Sequence, residues 1–287
     1  MSVSLRSVLP LSSPLAALTA LPVCASPFCP RPPTLWQRWW ARHEGVWLQD
    51  RWYCSPDCFR VGVFRRLEVA AYARRRDPRP NRLPLGLVLL SQGDITASQL
   101  REALELQRTA QAGKLGEWLI KLGAVSPQQV ITALAVQQGC PVFPAQECQA
   151  LPAAMHWPDA LLQRYRAVPI FFNRIQSSLY VGFLETVSHT WLYSLEQMLR
   201  CRTQPCIVPA ATYQRQLEWQ MRTIESETVM INQRQNSVEM AQTIGNYAQQ
   251  IHAERCSLTA CDDHLWTRLE GSGSFHVDFL FRLPAMS

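Results

Sequence analysis

Residues 84–107 and 114–137 carry one pattern twice, thirty positions apart, and this repeat constrains the fold more than any other feature. The copies share Leu85/Leu115, Gly86/Gly116, Leu89/Leu119, Gly93/Gly123, Gln99/Gln129, Ala103/Ala133, Leu104/Leu134 and Gln107/Gln137. They exchange like for like at Leu90/Ile120, Ile95/Val125, Thr96/Ser126, Leu100/Val130 and Leu106/Val136. In each copy a short helix, 85–92 and then 115–122, opens on Leu-Gly and stops at a glycine, which accepts the left-handed backbone of a helix C-terminus. The helix that follows opens on a hydroxyl residue with glutamine three positions later. Thr96 with Gln99 and Ser126 with Gln129 are thus expected capping boxes, and Pro127 suits the first helical position of the last helix. Two copies are too few for a solenoid. The expected form is a pseudo-symmetric pair of helical hairpins, four helices in all, with Leu89, Leu100 and Leu104 facing Leu119, Val130 and Leu134.

The doubled frame x-Leu-Gly-x-x-Leu-[Leu/Ile]-x-x-Gly, closed by Leu and Gln, resembles the N-terminal (MshEN-type) domain of type II secretion and type IV pilus assembly ATPases. The resemblance is strongest from Pro84 to Gly139 and continues more weakly to about Trp219. Some members of that family bind cyclic di-GMP across both motifs, with a basic or polar residue before each Leu-Gly and the closing glutamine holding guanine. Carried over position by position, the resemblance implies ligand-binding roles for Leu85, Gly86, Gln107, Lys114, Leu115, Gly116 and Gln137, with Arg82 and Arg108 as neighbouring basic candidates outside the motif positions. The second copy matches, with Lys114 before Leu115-Gly116. The first departs from the pattern, because Pro84 stands where arginine is usual and offers neither charge nor backbone donor. Arg82 is the nearest substitute. The bland alternative is a duplicated helical hairpin that only packs on itself.

Upstream, Cys24-x4-Cys29 and Cys54-x3-Cys58 form two cysteine pairs around a 24-residue insert. Four thiolates brought together suit a closed, tetrahedral structural Zn2+ site, with Trp47, Trp52, Tyr53 and Phe59 expected to cover it. The segment resembles small zinc-ribbon or treble-clef knuckles, and His43 is an alternative fourth ligand. The other cysteines, Cys140/Cys148, Cys201/Cys206 and Cys256/Cys261, read as core thiols. Ten cysteines in 287 residues are too dilute for a secreted disulfide scaffold, so a reducing, cytoplasmic setting is expected.

The chain carries a net charge of +6, unevenly spread. Arg65, Arg66, Arg74, Arg75, Arg76, Arg79 and Arg82 crowd the stretch before the repeat, a solvated linker or a surface for phosphate-rich partners. Residues 1–23 imitate a signal peptide, but Pro10, Pro14 and serines interrupt the apolar run, and a disordered Pro-rich tail is expected. No run approaches the roughly 18 consecutive apolar residues of a membrane span.

The overall expectation is an α+β chain: tail 1–23, zinc-knuckle-like segment 24–62, basic linker 63–83, tandem helical repeat 84–139, small α/β subdomain 140–222, linker 223–236, and a helix plus antiparallel strands over 237–287. In the last strand, Phe275, Val277, Phe279, Phe281 and Leu283 alternate with His276, Asp278 and Arg282, the pattern of one buried and one wet face. No Gly-x4-Gly-Lys-[Ser/Thr] loop occurs, and the Asp262-Asp263-His264 cluster reads as a turn, so no enzyme is expected. Two function classes follow. One is a non-catalytic regulator or adaptor of secretion or pilus machinery, sensing cyclic di-GMP or docking a motor ATPase or inner-membrane platform. The other is a zinc-containing nucleic-acid-binding regulator using the arginine-rich linker.

Overall fold

The computed structural model describes residues 22–30, 45–72, 82–144, 151–152, 155–222, 226–272 and 275–283. The chain forms two compact units, Met1–Glu68 with Asn236–Cys256, and Val69–Gln235 with Ser257–Ser287.

The first unit opens with a hairpin, β1 (Val46–Leu48) and β2 (Arg51–Tyr53), paired Trp47 to Trp52. Helix α1 (Pro56–Tyr72) follows at once. Ser55 starts it by accepting the Cys58 amide on its hydroxyl at 3.3 Å, with Pro56 in the first helical position. Its inner stripe is Phe59, Val63 and Leu67, all buried. The helix runs straight through the expected knuckle–linker boundary at residue 62, because that four-residue apolar spacing continues unbroken. Arg74, Arg75, Arg76 and Arg79 lie outside the described residues, as does most of the 1–23 tail. Helix α9 (Ser237–Gln250) completes this unit from far along the chain. Arg60 binds it by donating to Asn246 Oδ1 at 3.0 Å and Gln249 Oε1 at 3.2 Å.

In the second unit, the repeat forms the four expected helices α2 (Leu85–Gln92), α3 (Ala97–Ala110), α4 (Leu115–Lys121) and α5 (Pro127–Gln138). Both capping boxes are present, and Gly93 and Gly123 take φ of 77° and 67°. The core between the helices is Val88, Leu89, Ile95, Ala103, Leu119, Val125, Val130 and Ala133. One expected core position fails: Leu104 is 36% exposed. Ala103 takes the inward direction of α3, whereas the equivalent Leu134 is covered because it packs on a second apolar cluster as well.

That second cluster belongs to the α/β subdomain. Helix α6 (Asp159–Tyr165) leads into β3 (Ala167–Asn173) and β4 (Ser178–Phe183), an antiparallel pair. Helix α7 (His189–Leu199), strand β5 (Arg202–Ile207), parallel to β4, and helix α8 (Ala210–Arg222) follow. The expected linker 223–236 contains a strand, β6 (Ser226–Ile231), in six-residue parallel register with β9 (His276–Arg282). Thr228, Val229 and Ile231 are β-branched and favour it; the polar residues flanking them disguised it. Strands β7 (Arg255–Cys261) and β8 (His264–Glu270) precede β9, in the order β7-β8-β9-β6.

β9 also departs from expectation, because its polar face is not wet. His276 and Asp278 are buried. The Asp278 carboxylate accepts from Arg268 Nε and Nη2 at 2.8 and 2.7 Å and from Trp266 Nε1 at 2.8 Å. A charge paired and hydrogen-bonded on both oxygens tolerates burial.

Candidate metal centre and tandem-motif face

The four cysteines Cys24, Cys29, Cys54 and Cys58 meet, their sulfurs all within 4.8 Å of one another. Two local devices bring them together. Cys54 ends the hairpin and Cys58 sits in the first turn of α1, so the Ser55 cap fixes the second pair. The first pair lies on a loop held to β2 by the Ala25 amide on Trp52 O at 2.8 Å and tightened by the Cys29 amide on Ser26 O at 3.3 Å. Cys29 and Cys54 sulfurs stand 3.5 Å apart. Tetrahedral zinc with Zn–S of about 2.3 Å places its sulfurs roughly 3.7 Å apart, so an all-thiol set at this spacing fits the metal. Burial pushes the Cys54 thiol up, reinforced by hydrogen bonding to Cys29 and Cys24, and burial raises Cys24 as well. Bound zinc would offset this by holding the thiolate form. His43, the alternative ligand, lies outside the described residues.

Three of the four expected covering aromatics, Trp52, Tyr53 and Phe59, are buried, but Trp47 is 38% exposed. β1 alternates its side chains, and with Val46 and Leu48 turned inward Trp47 faces out. Two glycines went unnoticed in the sequence. A Cβ on Gly45 would lie 2.3 Å from the Trp52 indole, and one on Gly62 would lie 2.4 Å from the Tyr53 ring. Gly62 in mid-helix, an otherwise unfavourable placement, was the readable sign of that close approach. Among the other described cysteines, Cys201, Cys206, Cys256 and Cys261 are buried and form no disulfide, and Cys140 is half-buried.

In the second unit the two Leu-Gly starts face each other. A Cβ on Gly86 would lie 2.6 Å from Leu100 Cδ1 and 3.1 Å from Leu115 Cδ2; one on Gly116 would lie 3.0 Å from Val130 Cγ1 and 3.6 Å from Leu85 Cδ2. Both glycines therefore allow helices to approach closely. The closing glutamines swap partners: Gln107 Nε2 donates to Gly113 O at 3.0 Å, and Gln137 Nε2 donates to Leu83 O at 2.6 Å. Each copy's last helix thus holds the chain entering the other copy's first helix. Lys114 pairs with Glu185, whose other oxygen lies 3.7 Å from Arg166 Nη2. Arg82 donates to Val187 O at 3.1 Å, and Arg108 is exposed. Arg166 and Glu185 were missed in the sequence, since nothing local ties either to the repeat.

No family model matches the chain, and no curated protein does. Solved structures do resemble it. The structure of MshE with cdg is 24% identical, aligning 48% of this chain with 99% of that one at a TM-score of 0.39. The N-terminal domain of XpsE, in two crystal forms, is 15% and 17% identical over 47% and 50% of this chain and 91% and 97% of those, at TM-scores of 0.35 and 0.28. Likeness this distant assigns no residue a role.

The Asp262-Asp263-His264 cluster is a turn between β7 and β8, with Asp262 at φ 50°. Arg164 Nη2 reaches Asp263 at 2.8 Å, and the Tyr165 hydroxyl donates to Asp262 at 2.9 Å. No helix among the described residues is long and apolar enough to cross a membrane.

Proposed function

We propose that this chain is a non-catalytic regulatory or adaptor protein, related to the N-terminal domain of type II secretion and type IV pilus assembly ATPases. It holds a structural zinc at Cys24, Cys29, Cys54 and Cys58, and it uses the tandem repeat to take cyclic di-GMP or to dock a motor ATPase or inner-membrane platform. The observation that carries this reading is the reciprocal closure of the repeat. With Gln107 on Gly113 and Gln137 on Leu83, each motif start is tied to the other copy, an arrangement that suits a ligand spanning both motifs. Lys114 supplies the cation at that surface in the copy that keeps the motif intact. The non-catalytic part rests on the sequence, which offers no phosphate-cradling loop.

The test is isothermal titration of the zinc-loaded chain with cyclic di-GMP, alongside Lys114→Ala. Micromolar binding that the substitution removes identifies a second-messenger sensor. Absence of heat both from the wild-type chain and from a variant lacking the Glu185 carboxylate marks Pro84 as the sign of a lost site and leaves the repeat as a protein-docking surface.

A further inference from the structure

Three cations of the second unit converge on the loop 184–188, which connects β4 to α7. Lys114 pairs with one oxygen of Glu185 and Arg166 Nη2 lies 3.7 Å from the other. Arg82 donates to Val187 O at 3.1 Å, while Gln138 Oε1 accepts the Val187 amide at 3.0 Å. Arg82 and Lys114 stand just ahead of the two Leu-Gly starts, so this short loop is fastened to both copies of the motif. Glu117 accepts the Lys114 backbone amide at 3.3 Å.

A carboxylate with a cation at each oxygen presents the same arrangement as a phosphodiester, two anionic oxygens between an ammonium and a guanidinium. The three side chains remain accessible, Lys114 at 51%, Arg166 at 55% and Glu185 at 33%. Exposed ion pairs are weak and exchange readily, so a stronger anion can replace the carboxylate.

We propose that Glu185 is a resident anion: it fills the Lys114–Arg166 cation pair at which the phosphodiester of a dinucleotide binds, and the ligand must displace it. This rests on the dinucleotide reading above. Glu185 then sets the affinity of the site without touching the bound ligand, and Arg166, remote from the repeat in sequence, supplies the second phosphate contact.

The experiment is calorimetric titration of cyclic di-GMP into the full zinc-loaded chain as wild type, Glu185→Gln, and Glu185→Gln with Lys114→Ala, each checked for helical content and zinc. Glu185→Gln is expected to bind about fivefold more tightly than wild type, the scale of one exposed ion pair, and the added Lys114→Ala to remove the gain. A silent wild type with a binding Glu185→Gln is the extreme form of the same result. Equal or weaker binding by Glu185→Gln, with wild type binding, overturns the resident anion and leaves the dinucleotide reading standing. Silence from both overturns both. Glu185→Ser gives the same readout should the amide disturb the loop.

Discussion

The cysteine unit and the tandem repeat reach order by opposite routes. The repeat encloses its own core: α3 and α5 are each capped within four residues of their start, and Leu89 and Leu119 are sealed from solvent at matching positions. The cysteine unit has a hairpin of two three-residue strands and draws its second helix from nearly two hundred residues away. A small segment with so little regular structure usually needs a staple, and the four thiols are placed to provide one. Order in the repeat is written locally, whereas the cysteine unit draws on a distant segment and on four thiols placed to take a metal.

On the proposal that the four thiols hold zinc, the sharpest way to break this contrast is to remove it. Structural zinc contributes on the order of 10 kcal/mol in small zinc domains, so chelation or Cys58→Ser is expected to abolish amide protection in α1 and α9 while leaving α2 to α5 protected. Hydrogen exchange read by mass spectrometry resolves the two regions, and uniform loss would refute their independence. Thiols are ordinarily protonated at neutral pH, and burial raises Cys24 and Cys54 further. Zinc must displace those protons, so its affinity falls as pH falls, by about tenfold per pH unit for each proton released.

Cavity-forming substitutions come next in size. Leu89→Ala and Leu119→Ala should each cost about 3 kcal/mol, measured by exchange in the repeat helices, with little change in α1. Leu104→Ala, at an exposed position, should cost under about 1 kcal/mol. Unequal losses at Leu89 and Leu119 would mean that the pseudo-symmetry is one of sequence more than of packing.

What the sequence made legible follows the same division. Thr96, Ser126, Gly93 and Gly123 announce helix ends because caps act over three or four residues, and the cysteine pairs announced their cluster because few other uses bring four thiols together. Three features stayed hidden: the Arg60 clasp on α9, the buried Asp278 and the convergence of Lys114 and Arg166 on Glu185. The first and third depend on residues meeting across long stretches of chain, and Asp278 depends on Trp266 and Arg268 of the neighbouring strand. Asp278 misled further, since an alternating polar residue in a strand reads as solvent-facing until its buried arginine partner is known. Ser226–Ile231 was lost to its polar flanks, although its β-branched residues pointed to a strand.

The smallest expected effect tests the symmetry most directly. Gln107 and Gln137 are both half-buried, and each donates one hydrogen bond to the backbone entering the opposite copy, at 3.0 and 2.6 Å. A single neutral hydrogen bond contributes about 1 kcal/mol, so Gln107→Ala and Gln137→Ala should each lower stability by that amount. The double variant should lose the sum if the two bonds act independently, and more if closing one copy pre-orders the other. Gln137 holds the copy that begins with Pro84, where Arg82 donates to the Val187 carbonyl in place of the Lys114–Glu185 ion pair of the second copy. Greater local exchange in α2 after Gln137→Ala than in α4 after Gln107→Ala would therefore show that the first copy relies on its clasp, while the second has an ion pair in reserve.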